Sequence, residues 1–186
     1  GYRSAAAVYD TAGKEVFKYR SSEYYMVTAV LSPDCKTLAA LGFRQNGITL
    51  ESHVLFFDVS SGKQYADAVL SDSLGVALTY SENGAAAVLC DNGLFRVTRK
   101  GDTEQLLELS AQDLVASTTQ PDRMALAIRS YQNGARCDLY TVRGGTLHGP
   151  FALAEEPSTL AISNAGTAVL SAAGVSVYST AGQPQW

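Results

Sequence analysis

Two short motifs recur along this chain at a spacing that few architectures accommodate. The first, a polar turn followed by a small-residue apolar strand, appears as LSPDCKTLAAL from Leu31, YSENGAAAVL from Tyr80, TTQPDRMALAI from Thr118 and ISNAGTAVLS from Ile162. The second, an aromatic-bearing strand and a glycine turn, appears as VYDTAGKE from Val8, FFDVSSGKQ from Phe56, FRVTRKGDT from Phe95, LYTVRGGTL from Leu139 and VYSTAGQPQ from Val177. Successive copies lie roughly 38 to 49 residues apart, the length of a four-stranded propeller blade. No segment keeps apolar residues at helical spacing for three turns, and short apolar runs broken by Gly, Asn, Asp, Ser or Pro read as strands. The chain is therefore expected to be all-β, a β-propeller of four-stranded antiparallel blades with about four repeats.

Each repeat reads as strands a to d joined by turns. In the first full unit, a is YMVTAVL from Tyr25, b is TLAALGF from Thr37, c is SHVLFFDV from Ser52 and d is QYADAVL from Gln64. The b–c turns fall at Asn46-Gly47, Asn92-Gly93, Asn133-Gly134 and Ala173-Gly174. Asn-Gly suits a type I′ hairpin, whose two central residues both need positive φ.

The residues LSPDCKTLA resemble the SPDGK-type turn and strand of WD-like, YVTN-like and TolB-like propeller repeats. FFDVSSGKQ and VYDTAGKE resemble the hydrophobic-Asp-x-x-Thr/Ser-Gly-Lys hairpin of the same repeats. Cys35 stands where those repeats usually carry Gly, and the Asp of the second motif is read as replaced by Arg96 or Thr141 in later copies. No Trp-Asp dipeptide is present, so the likeness is to the WD-like class rather than to WD repeats proper. The resemblance implies a bacterial propeller.

VYDTAG at Val8 and VYSTAG at Val177 occupy the same phase of the repeat, the c strand and its turn to d. The chain is expected to be either a small ring or an arc of a larger propeller. The arc is preferred, since Gly1 is not a start and Trp186 stops in mid-blade. The division expected is an outer half-blade over 1–22, blades over 23–71, 72–110 and 111–155, and a blade over 156–186 that is incomplete in the arc. An anchor or signal upstream of Gly1 is also expected.

Composition narrows the function. The formal net charge is -4 and no cluster of Lys and Arg occurs, which argues against a nucleic-acid partner. The longest apolar runs fall far short of the ~20 residues of a membrane span. Cys35, Cys90 and Cys137 have no CxxC spacing and only His53 and His148 accompany them, so zinc is not indicated and the cysteines read as small apolar residues. No metal or cofactor is expected.

Functional residues are expected on the end of the blades that carries the b–c and d–a connections, where loops on a rigid scaffold serve binding. FRQNGITLES from Phe43 and RSYQNGARC from Arg129 are the longest hairpins. They present Arg44, Gln45, Asn46, Tyr131, Gln132 and Asn133, with Tyr24 and Tyr25 as aromatic contacts. Ser60-x-x-Lys63 matches a serine-nucleophile pattern but falls on a c–d turn without the helix that chemistry needs. Glu155 and Glu156 diverge as strand neighbours, and the glycine turn from Arg143 lacks the helix of a phosphate loop. The expectation is a non-catalytic binding or scaffold module for a protein or cell-surface ligand, displayed outside the cytoplasm. A propeller enzyme of hydrolase, lyase or quinoprotein type, and a structural arc that self-associates through open edge strands, are the alternatives.

Overall fold

A computed structural model describes residues 4–129, 131 and 137–185. It shows an all-β chain of 17 strands in five antiparallel sheets. β1 (Ser4–Tyr9) and β2 (Glu15–Ser21) form a two-stranded sheet. Three four-stranded sheets follow: β3 (Tyr25–Leu31), β4 (Thr37–Asn46), β5 (Thr49–Asp58) and β6 (Gln64–Ser71); β7 (Gly75–Tyr80), β8 (Ala85–Cys90), β9 (Gly93–Thr98) and β10 (Thr103–Glu108); β11 (Leu114–Gln120), β12 (Arg123–Arg129), β13 (Cys137–Arg143) and β14 (Thr146–Leu153). The last sheet holds β15 (Pro157–Ile162), β16 (Gly166–Ser171) and β17 (Gly174–Ser179), with a single bridge from Tyr178 to Pro184 beyond it. In the full sheets each strand pairs with its sequence neighbours, the meander of a propeller blade.

The b and c strands read as continuous apolar runs because both faces of a blade are covered. In β5, Val54 and Phe56 point into a core shared with Leu78, Tyr80 and Val88, while Leu55 and Phe57 point the other way, against Ala6, Val8 and Phe17. Alanines 39, 40, 86, 87, 125 and 127 are at most 1% exposed; a short side chain there lets neighbouring sheets approach closely. Packing passes from β1 to β3, β3 to β7, β7 to β11 and β11 to β15. Among the described residues no helix is long and apolar enough to cross a membrane.

Four of the five c–d turns share one design; the other, between Arg143 and Thr146, is a two-residue turn with Gly144 and Gly145 both at positive φ. Gly13, Gly62, Gly101 and Gly182 have φ between 71° and 90°, and each donates its N–H to the carbonyl of Asp10, Asp58, Thr98 or Ser179 at 2.9–3.0 Å. The side chains of those four residues accept further backbone N–H groups of the same turn. The positions equivalent to Asp10 are thus Asp58, Thr98 and Ser179, and not Arg96. A short polar side chain suffices, since the role is to accept N–H bonds. The Ser60 and Ser61 bonds hold the Asp58 carboxyl down at about 2.

The b–c turns differ from the type I′ expectation. Asn46 pairs with Thr49, so Gly47 and Ile48 are the central residues, and Gly47 alone has positive φ, at 61°. This is the backbone pattern of a type II′ turn, with Gly first. Cys90 pairs with Gly93, which puts Asp91 and Asn92 at the centre of the next b–c turn. Ser171 pairs with Gly174, so Ala172 and Ala173 occupy the last. Asn133-Gly134 lies outside the described residues. The asparagines act through their side chains instead: Asn46 Nδ2 donates to Glu51 Oε1 at 2.7 Å, and Asn92 Nδ2 to the Asp72 carbonyl at 3.1 Å. Gly93 is needed for space, because a Cβ there would lie 2.9 Å from the Leu107 carbonyl oxygen. Replacing Gly47 by alanine is expected to cost about 1 kcal/mol through its positive φ. Asn92→Gly, which suits a turn centre of positive φ alone, should give no gain in thermal melting.

Candidate functional site

The b–c end of the sheet β3–β6 is built by its longest hairpin. β4 and β5 are 10 residues each, whereas β8, β9, β16 and β17 have 6. The ladder continues past the apolar run through Arg44↔Glu51, Gln45↔Leu50 and Asn46↔Thr49. Ile48 at the tip is 100% exposed, and Tyr25, Leu50 and Val69 at the same end of the sheet are 40–50% exposed. Tyr25 stacks on Phe43 with ring centroids 5.5 Å apart. Gln45 closes the tip, its Nε2 donating to the Gly47 carbonyl at 3.0 Å.

Beneath this apolar tip lies a polar cluster. Residues Glu51, His53 and Leu55 share one face of β5, and Asp67, opposite Leu55 on β6, joins them. His53 is 1% exposed, with Nδ1 2.8 Å from Asp67 Oδ1. Its acceptor is a carboxylate, so Nδ1 carries the proton. Nε2 is buried without a hydrogen-bond partner, 3.6 Å from Glu51 Oε2. Tyr24 lies over the imidazole, 4.8 Å between centroids, and its hydroxyl reaches Asp67 Oδ2 at 3.4 Å. Arg44 covers the outer side of the Tyr24 ring at 5.6 Å and pairs with Glu51 at 3.5 Å and Glu23 at 3.9 Å. Burial, then the Asp67 charge, pushes the Tyr24 hydroxyl up to about 12. The Asn46 hydrogen bond, then Arg44, holds the Glu51 carboxyl below its ordinary range.

The structure therefore brings together Tyr24, Arg44 and Asn46, and it places Tyr25 and Gln45 beside them. Tyr24 is a correction: it is only 7% exposed and packs between His53 and Arg44, so it supports the surface instead of forming it. Its backbone is anchored as well, with Tyr24 N–H donating to Ser21 Oγ at 2.7 Å and Ser4 Oγ donating to the Tyr24 carbonyl at 3.0 Å. Tyr131 lies apart from them, beyond the end of β12, 79% exposed with its hydroxyl donating to Asp113 Oδ1 at 2.9 Å. Gln132 and Asn133 lie outside the described residues. Glu51, His53 and Asp67 are the residues that sequence reasoning missed. The available signal was a histidine inside the otherwise apolar run SHVLFF, which a buried strand admits only with a polar partner.

Other candidates resolve into turns and pairs. Ser60 Oγ donates to Asp58 Oδ1 at 2.7 Å, which makes it part of the c–d turn. Glu156 pairs with Arg129 at 3.3 Å. Among the described residues no His, Cys, Asp and Glu converge as a metal site. At the opposite end, an apolar cavity of 590 Å³ is lined by Val30, Leu31, Pro33, Cys35, Leu78 and Pro121. Cys35 is exposed with φ 57°, whereas Cys90 and Cys137 are buried and all three are free thiols. One thiol is expected to react with a thiol reagent at pH 8 in the folded chain and three after denaturation. Burial pushes the Cys90 thiol up to about 12 from an ordinary 9. Between those values the unfolded state has lost a proton that the folded state keeps, so stability falls as pH rises, by up to about 1.4 kcal/mol per pH unit. Cys90→Ala should flatten that slope between pH 9 and 10 in denaturation curves.

The fold is that of known propellers. The chain is similar to the Neurospora crassa Pan2 WD40 domain at 10% identity and a TM-score of 0.57, covering 96% of this chain and 57% of that one. Kuenenia stuttgartiensis hydrazine synthase matches at 16% identity and a TM-score of 0.61, over 95% of this chain and 65% of that one. The chain thus spans less than two thirds of either protein. The computationally designed Ika4 protein matches at 13% identity and a TM-score of 0.54, over 90% and 98% of the two chains. No curated protein matches the sequence. A family model does match, over residues 3–186, and the chain belongs to that family, described as "Family of unknown function (DUF5711)".

Proposed function

We propose that this propeller is a non-catalytic binding module that contacts a protein or cell-surface ligand through the tip of the β4–β5 hairpin. The observation that carries this reading is the exposed apolar pair Ile48 and Leu50 at the tip of this hairpin, with Tyr25 of β3 on the Leu50 face of the sheet, held up by the hydrogen bond of Asn46 to Glu51 and the Arg44–Glu51 pair. An apolar patch rimmed by Arg44, Gln45 and Asn46 has the make-up of a protein contact surface, an apolar centre with a polar rim. The non-catalytic reading draws on His53. Its Nδ1 is engaged by Asp67 and its buried Nε2 faces a carboxylate, so among the described residues no hydroxyl or thiol is hydrogen-bonded to Nε2 as a nucleophile to be activated.

The test is site-specific photo-crosslinking in the native host, with the reactive side chain placed at Ile48 or, at the opposite end of the same sheet, at the exposed Lys36. A crosslinked product at position 48 and none at 36, lost when Leu50→Asp is added without a change in melting, is the expected result. Products only at position 36, or at neither, would remove this end as the contact surface.

A further inference from the structure

The sheet β15–β17 has one covered face and one open face. Leu160, Ile162 and Val169 point into a core shared with Ala127 and Leu139 of the preceding sheet. The opposite face carries two rows set by the register, Ala161–Ala168–Val177 and Thr159–Leu170–Val175. Its positions have equivalents in earlier blades, counted back from the residue that opens each c–d turn. Asp58, Thr98 and Ser179 hold that place, so Val175 corresponds to Val54 and Leu94, and the cross-strand partners of these three are Leu170, Leu41 and Leu89. Leu41 and Val54 share a core with Leu78 and Tyr80 of the next sheet, and Leu89 and Leu94 share one with Met124 and Leu126 of the sheet after that. Each of those four is at most 1% exposed, whereas Leu170 is 42% and Val175 64% exposed. The sheet β15–β17 thus presents, uncovered, the surface that earlier blades bury against another sheet.

Charge decides what can cover it. No Asp, Glu, Lys, Arg or His occurs from Pro157 to Gln185, so two copies of this face meet without like-charge repulsion and without stripping water from an ion. The outer face of β1–β2 differs, because Ala5 and Ala7 stand there beside Arg20 and Lys18. We propose that the open face of β15–β17 docks on the same face of a second copy of this chain about a two-fold axis. Sheets packed face to face interdigitate their side chains, and the two rows suit this: Leu170 and Val175 of one copy settle over Ala161 and Ala168 of the other. A contact between identical patches closes at two copies.

The experiment is sedimentation equilibrium of the chain from low micromolar to near-millimolar concentration. A mass that rises from one chain to two and stops there is expected. Val175→Lys and Val175→Asp alter a side chain that is mostly in water, so both should fold, and each should weaken association at least tenfold. Mixed in equal amounts, the two variants should associate at least tenfold more tightly than either alone, since packing of this face on itself sets the opposite charges within reach of one another. A one-chain mass at every concentration, an assembly that grows beyond two, a dimer that both variants leave intact, or a mixture no tighter than its components overturns the proposal.

Discussion

Replacing Phe56 by alanine should destabilise the chain by about 3–5 kcal/mol, and for a chain of this length lower the melting temperature by roughly 6–20 °C. Phe56 is wholly buried between the sheets β3–β6 and β7–β10, where Ala39, Leu41, Leu78 and Val88 surround it. Its ring contacts those of Tyr65 and Tyr80, with centroids 6.1 and 5.6 Å away. Truncation would leave a hole against Tyr80, whose hydroxyl meets Thr37 Oγ1 at 3.0 Å and Tyr65 at 3.3 Å and accepts from Arg99 Nε at 2.8 Å. That network ties one blade's turn region to the next, so a cavity there also frees polar groups that depend on a fixed ring. Ile48→Ala, at a fully exposed position, is the matched control and should change stability by less than about 0.5 kcal/mol. A loss below 1 kcal/mol for Phe56→Ala in urea denaturation would mean that the two sheets do not pack through this face.

The blade pattern was legible because burial on both faces forces it into composition. Runs such as AAAVLC and MALAI are too short for helices and too apolar for exposed strands, and in the first full unit strands a, b and d begin at Tyr25, Thr37 and Gln64 as read. The c strand begins at Thr49 rather than Ser52 because polar residues continue a hydrogen-bonded ladder as well as apolar ones do, and hydropathy carries no trace of that. Turn chemistry was read one residue out of phase for the same reason: Asn46 and Gly93 belong to strands. The site was half visible. Arg44, Gln45 and Asn46 follow from hairpin length, whereas the burial of Tyr24 depends on the sheet β1–β2 docking beside it through Ser4 and Ser21, a contact between segments that the local sequence does not encode. His53 and Asp67 are 14 residues apart and meet only once the β5–β6 register is known.

Asp67→Ala is the second substitution with a large expected effect, about 2–3 kcal/mol, because it leaves the buried His53 Nδ1–H without an acceptor and removes the partner of the Tyr24 hydroxyl. Asp67→Asn retains an acceptor oxygen for Nδ1–H and should recover most of the loss, which separates the hydrogen bond from mere packing. Tyrosine ionisation gives a second readout. Asp67 is one of the two main causes that hold the Tyr24 hydroxyl at about 12, so removing its charge should bring that titration closer to the ordinary 10. The sign for stability follows: with its proton held up to about 12, folded Tyr24 lags the unfolded side chain in ionising, and stability is lost as pH rises from about 10 towards 12. Both Asp67 variants should show a shallower loss in that window. If Asp67→Ala instead leaves stability and the tyrosine titration unchanged, the His53 cluster does not support the hairpin. The exposed tip would then have to be held by the β4–β5 ladder alone.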